Sequence, residues 1–178
     1  MAPIYNPAVV VLLRLLLAIF NSYRKPAIGL LDTGVVTMRV WPNDLDLNLH
    51  MNSGRYLSMM DVGRVALFAQ TRTLDNLLTM NWRLLAGGAM VRYRKSLVLF
   101  DQFEVRSRLA CWDEKWLYFE HVIEYEGEVQ TTAWVRALLR DSDGNVPTSE
   151  FLAIAHDPDL ESPPMPQAIA RWFEAERA

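Results

Sequence analysis

The polar residues with side chains suited to catalysis lie at every second position of one short segment. Asp44, Asp46, Asn48 and His50 alternate there with leucines. Successive side chains of an extended chain point to opposite sides, so this spacing predicts that all four share one side. A carboxylate can act as base or nucleophile, an imidazole can shuttle a proton, and an amide can orient water. The segment therefore indicates a hydrolytic site, although the same residue types also form loop turns and a structural histidine.

A helix is predicted to begin directly after this loop, with Asn52 or Ser53 as its N-cap. Its unpaired first-turn amides could stabilise an oxyanion beside the polar side chains. Its predicted apolar stripe follows helical spacing and consists of Tyr56, Met59, Met60, Gly63 and Leu67. Because glycine inside a helix costs about 1 kcal/mol relative to alanine, we expect Gly63 to allow close approach to a flat sheet.

Strand patterns surround this helix. Alternating apolar and polar residues predict one strand before the loop and four after the helix, over residues 34–41, 89–94, 103–111, 116–125 and 129–140. The short turns between the later strands make them antiparallel neighbours. One helix on one sheet is an α+β layout. Since that helix covers a single face, the other face or an edge is predicted to pair with a second subunit.

The N-terminal segment is strongly apolar. Residues 8–20 are interrupted only by Arg14, and a helix is predicted over residues 7–23. Thirteen helical residues span about 20 Å, short of the ~30 Å hydrocarbon core of a bilayer. We therefore expect this helix to dock on the domain or at a subunit interface. Peripheral attachment to a membrane surface, helped by Arg24 and Lys25, and a true span are the alternatives.

Composition narrows the class of protein. The chain has 178 residues, 51% of them hydrophobic, and a formal net charge of −3, which argues against disorder and against a nucleic-acid-binding surface. A single cysteine excludes a disulfide framework and a multi-cysteine zinc site. Cys111 and His121 lie on apolar strand faces and are predicted to be core residues. We expect no metal site.

Residues 44–52, DLDLNLHMN, followed by Ser-Gly-Arg-Tyr-Leu, closely resemble the signature of hotdog-fold thioesterases of the 4-hydroxybenzoyl-CoA thioesterase type. The resemblance extends over about residues 34–140. It implies a single hotdog domain, in which an antiparallel β-sheet wraps a long helix. It also implies a homodimer, or a dimer of dimers, formed by sheet pairing. We accordingly predict an appended apolar helix at residues 1–30, the hotdog domain at 31–158 and a proline-rich tail with a short helix at 159–178.

The resemblance also implies roles for the polar loop residues. Asp46 falls on the acidic residue that serves as nucleophile or general base. Asn48 and His50 match the amide and imidazole of plant acyl-carrier-protein thioesterases. Those enzymes carry a glutamate after the helix where this sequence has Ser96, so the assignment of the base depends on Asp46.

Substrate-binding residues are predicted in two places, at the start of the helix and near the end of a later strand. Asn52 and Tyr56 match motif positions that place the loop and helix, and Ser53 opens the helix. Three basic residues near a strand end could hold the phosphates of coenzyme A, or could simply form a solvated strand face; they are Arg92, Arg94 and Lys95.

The function expected from the resemblance is hydrolysis of a fatty-acyl or related acyl thioester to a free acid and a thiol. The substrate would be an acyl-CoA or an acyl-carrier thioester, with no cofactor besides the coenzyme A of the substrate. The alternative is a non-catalytic dimer that binds an acyl chain or lipid at a membrane. We expect a cytoplasmic protein, with membrane association through the N-terminal helix as an open alternative.

Overall fold

The strands form one antiparallel sheet. The computed structural model describes residues 7–177. Its strands are β1 (Gly34–Arg39), β2 (Arg83–Tyr93), β3 (Gln102–Trp112), β4 (Leu117–Tyr125), β5 (Glu128–Arg140) and β6 (Asn145–Val146). Their order in the sheet is β1-β3-β4-β5-β2, and β6 pairs with the end of β5. The helices are α1 (Pro7–Arg24), α2 (Ser53–Gln70), α3 (Leu74–Thr79), α4 (Thr148–Ile154) and α5 (Gln167–Arg177).

The long helix α2 packs on this sheet, as its apolar spacing predicts. All five residues of the predicted stripe are buried. A side chain at Gly63 would place its Cβ 2.6 Å from the Ser107 Oγ and 2.9 Å from a Val105 methyl group. The glycine therefore lets the helix approach β3 closely, which confirms that prediction. This α+β arrangement is the hotdog fold.

The N-terminal helix α1 packs beside α2. Ala18 is buried between them, and Val11 and Leu15 pack against the same core. The predicted docking is confirmed for this face, whereas the opposite face of α1 is exposed. No helix in residues 7–177 is both long enough and apolar enough to span a membrane.

The C-terminal helix α5 lies against the sheet face that α2 leaves open. Ile169 is fully buried there beside Cys111 and Tyr118, and the Arg136 guanidinium lies over the rings of Trp116 and Trp172 at 4.9 Å and 5.4 Å. The chain thus covers part of this face itself. Among the described residues, β2 lies at one end of the sheet and pairs only with β5. Pairing of an edge with a second subunit stays a prediction.

Candidate active site

The polar loop between β1 and α2 is not extended, so the predicted side-by-side arrangement of its four polar residues is wrong. Pro42–Asp44 form a single 3₁₀ turn. Leu45 and Met51 then pair as an antiparallel bridge, and the chain reverses between them. Leu49 in this turn has a positive φ of 60°. Successive side chains therefore no longer point to opposite sides of the chain. Residue spacing alone could not reveal this reversal.

Asp44 is buried beneath the loop and has a structural role. Its carboxylate accepts hydrogen bonds from both terminal nitrogens of Arg14, at 3.0 Å and 2.6 Å, and from the amide of Trp41 at 2.9 Å. Arg55 lies 3.8 Å away on the other side. Asp44 is fully buried and the Arg14 side chain is 9% exposed. This buried pair ties α1 to the site loop, and Asp44 is unavailable to a substrate.

Asp46 occupies the tight turn itself. Its Oδ1 accepts hydrogen bonds from the amides of Asn48, at 2.8 Å, and His50, at 3.4 Å, while its own amide donates to the His50 carbonyl at 2.8 Å. The backbone of the predicted partners therefore orients the carboxylate. The side chains of Asn48 and His50 are exposed at the surface of the turn. The turn thus carries a half-buried carboxylate beside an exposed amide and an exposed imidazole.

A second loop, between β2 and β3, supports the first. Leu97 donates its amide to the Tyr56 hydroxyl at 3.0 Å, and its carbonyl accepts from the Met51 amide at 2.8 Å. His50 pairs with Val98 as an antiparallel bridge. Ser96 therefore lies in this exposed loop beside the site, not in a strand.

Tyr56 and Tyr93 join the helix to strand β2. Their rings meet edge to face with centroids 5.3 Å apart, and the Tyr93 hydroxyl donates to the Ser53 carbonyl at 3.0 Å. Burial raises the pKa of the Tyr56 hydroxyl above its ordinary value. Burial also raises the pKa of the Tyr93 hydroxyl, so both phenols remain protonated at neutral pH and act as hydrogen-bonding supports. The resemblance indicated Tyr56, but not the Tyr93 contact, because the two residues meet only in the folded chain.

The helix α2 begins where the loop ends. Asn52 caps it by accepting the Gly54 amide on its side-chain oxygen at 2.9 Å, and its carbonyl accepts the Arg55 amide at 2.8 Å. The predicted N-cap is confirmed as Asn52, and Ser53 is the first helical residue.

The predicted phosphate-binding residues lie at the end of β2. Arg92, Arg94 and Lys95 line an open concavity of about 700 Å³ together with Tyr93, Glu128 and Val129. Lys95 pairs with Glu128. The structure thus brings the three basic residues together.

The two core candidates outside this site are inert. Burial raises the pKa of the Cys111 thiol to about 11, which keeps it protonated and unreactive at neutral pH. His121 is fully buried, with its Nδ1 2.8 Å from the Ser107 hydroxyl. Both agree with the prediction of core residues.

The sequence analysis did not assign Arg14 a partner, although a lone charge in an apolar helix is a signal that one is needed.

A hotdog domain with the Asp46 turn at the start of its central helix agrees with the resemblance to the class of hotdog-fold thioesterases. A family comparison agrees with this class. Residues 40–173 match the family described as the thioesterase-like superfamily, and the chain belongs to that family. The predicted membership is confirmed.

Individual proteins are similar to this chain in sequence or in fold. Protein THEM6 of Xenopus laevis is 32% identical over 138 residues, which cover 76% of this chain and 64% of the frog protein. A probable thioesterase of Escherichia coli, YbaW, superposes with a TM-score of 0.63 at 20% identity, covering 70% of this chain and 96% of YbaW. The Staphylococcus aureus protein SAV2348, solved in complex with CoA, has a TM-score of 0.61 at 20% identity and covers 82% and 96% of the two chains.

Proposed function

We propose that this protein hydrolyses acyl-CoA thioesters to a free acid and coenzyme A. The observation that supports this most directly is the Asp46 carboxylate, held by two backbone amides in an exposed turn. Oδ1 is engaged by those amides, and Oδ2 would take a proton from water. The resulting hydroxide would attack the thioester carbonyl, and the C–S bond would break as the tetrahedral intermediate collapses. Direct attack by Asp46 on the carbonyl is the other role that its position permits.

The other loop residues would serve the same reaction. The Gly54 and Arg55 amides are already bonded to Asn52, so of these first-turn amides we assign Ser53 as the donor to the oxyanion. The proton that Asp46 takes from water would pass through the exposed His50 imidazole to the departing thiolate, which would leave Asp46 ionised for the next turnover. Asn48 would orient the water.

The substrate is proposed from the surfaces beside the turn. Arg92 and Arg94 lie at alternate positions in the concavity at the end of β2, where their guanidinium groups could bind the phosphates of coenzyme A. The acyl chain would contact exposed apolar side chains around the turn, which include Leu47, Leu49, Val98 and Phe100. The complex of SAV2348 with CoA is consistent with such a substrate. We further propose a homodimer, in which a second subunit would cover part of this apolar surface.

Release of free thiol from a panel of acyl-CoAs tests this function. We expect activity for the unmodified protein and a loss of about 10²–10⁴-fold in kcat/KM for Asp46→Asn, because the amide oxygen can still accept both backbone hydrogen bonds but cannot act as a base. Asp159→Asn, a change at an exposed aspartate, is the matched control and should retain full activity. Retention of an acyl ligand without any thiol release would instead support the non-catalytic acyl-chain-binding alternative.

A further inference from the structure

The outward face of helix α1 carries a continuous apolar stripe. Its large side chains recur at steps of three and four residues and are between 45% and 61% exposed; they are Val9, Leu12, Leu13, Leu16, Leu17 and Phe20. We call these six residues the α1 stripe. Single exposed leucines are ordinary on protein surfaces, but a contiguous helical row of this kind indicates an interaction surface.

The one charged residue within the apolar run does not interrupt this stripe. Arg14 turns inward, where its guanidinium binds Asp44 and also donates to the Arg39 carbonyl at 2.9 Å. The inward face of α1 is occupied by the contacts with α2. The helix is therefore fixed to the domain by one face and presents an uninterrupted apolar face to the outside.

Charge is distributed unevenly around the stripe. The first 31 residues include Arg14, Arg24 and Lys25 and no acidic residue, in a chain with an overall charge of −3. Arg24 and Lys25 are exposed at the end of α1, and the Arg24 guanidinium lies 5.4 Å from the centre of the Phe20 ring. An apolar stripe with basic residues at its end complements the apolar core and anionic headgroups of a lipid bilayer.

We propose that the α1 stripe binds the surface of an anionic lipid bilayer, with α1 lying in the membrane plane. A second copy of the chain is a poorer occupant. The stripe consists of six residues over about 16 Å, whereas a stable protein interface contains about 20–30 residues on each side. A bilayer requires no such matching surface. The proposal concerns where the protein binds and does not depend on its catalytic activity.

Co-sedimentation with lipid vesicles tests the proposal. The full chain is mixed with vesicles of phosphatidylcholine alone or with about one quarter phosphatidylserine. We expect binding to both, stronger to the anionic vesicles, and a loss of at least about tenfold in partitioning for Leu13→Glu/Leu17→Glu. Arg24→Gln/Lys25→Gln should remove the preference for anionic vesicles. Met165→Glu, a change at an exposed apolar residue away from α1, should bind as the unmodified protein does.

Two further measurements make the outcome decisive. Circular dichroism and thermal melting verify that the stripe variant is folded, as expected for exposed positions. Light scattering without lipid reports the number of chains per particle. Absence of vesicle binding by the unmodified protein would overturn the proposal. It would also be overturned if the Leu13→Glu/Leu17→Glu variant bound vesicles normally. Smaller particles for this variant than for the unmodified protein, measured without lipid, would assign the stripe to a second copy and overturn the proposal as well.

Discussion

Asp44 and Asp46 show how residues of one type, two positions apart, take opposite roles. Asp44 is fully buried and bonded to Arg14, whereas Asp46 lies in a turn and is held by backbone amides. Side-chain alternation could not separate them because it assumes an extended chain. The family resemblance selected Asp46 without showing why. The difference arises from the turn at residues 47–49, which depends on contacts with a loop more than 40 residues later.

The buried His121 leads to a prediction about acid stability. Burial and the nearby Arg64 guanidinium lower its pKa well below the ordinary value, so His121 is neutral in the folded protein. The unfolded chain takes up a proton below about pH 6.5. Because the unfolded state then binds more protons than the folded state, the stability contributed here is lost as the pH falls below that value, by up to about 1.4 kcal/mol per pH unit.

Urea unfolding between about pH 7.5 and about pH 5.5, one unit on either side of the ordinary histidine pKa of about 6.5, measures this effect. His121→Gln keeps a partner for Ser107 but removes the titrating group, so its stability should depend less on pH than that of the unmodified protein. His156→Gln, at an exposed histidine, should leave the dependence unchanged. Identical pH slopes for His121→Gln and the unmodified protein would contradict the assignment.

At the level of elements, much of the architecture follows from local pattern. The strands β3, β4 and β5 agree with the predicted ranges to within one residue at each end, and Gly63 correctly indicated a helix close to a sheet. The strand β2 is longer than predicted because its glycines interrupt the alternation of apolar and polar side chains. At Gly87, the Trp116 ring occupies the space that a side chain would need. The helix α4 and strand β6 had no clear periodicity to reveal them.

The helix α1 and the site loop form one unit through the buried pair of Arg14 and Asp44. Arg14→Met leaves the Asp44 carboxylate buried without its main partner, which should cost about 3–5 kcal/mol in the free energy of unfolding. Arg55→Met removes a more distant charge, at 3.8 Å, and should cost much less. Urea unfolding of both variants measures the difference. Equal losses of stability would show that Arg14 does not hold the loop.

At the scale of the whole molecule, the edge strand β2 bears on assembly, because one of its sides pairs with no strand among the described residues. This strand has 11 residues and lies at the end of the sheet, where its free backbone groups can pair with another chain. The exposed residues Leu85, Ala86 and Ala89 include two small side chains, which permit close approach. Pairing of β2 with its copy around a twofold axis would satisfy both edges at once. It would also bring the concavity at Tyr93 and Arg94 of each chain towards its partner.

Light scattering during size-exclusion chromatography checks this assembly. We expect two chains per particle for the unmodified protein and one for Leu85→Lys, because a charge on the edge strand opposes pairing with an identical strand. Leu78→Lys changes a leucine of α3 that is 67% exposed and should leave the particle mass unchanged. If a second subunit completes the acyl-binding surface, Leu85→Lys should also lose thioesterase activity while its thermal melting is retained. If Leu85→Lys still forms a particle of two chains, the interface lies elsewhere on the molecule. If it is a single chain with full activity, each site is complete without a partner.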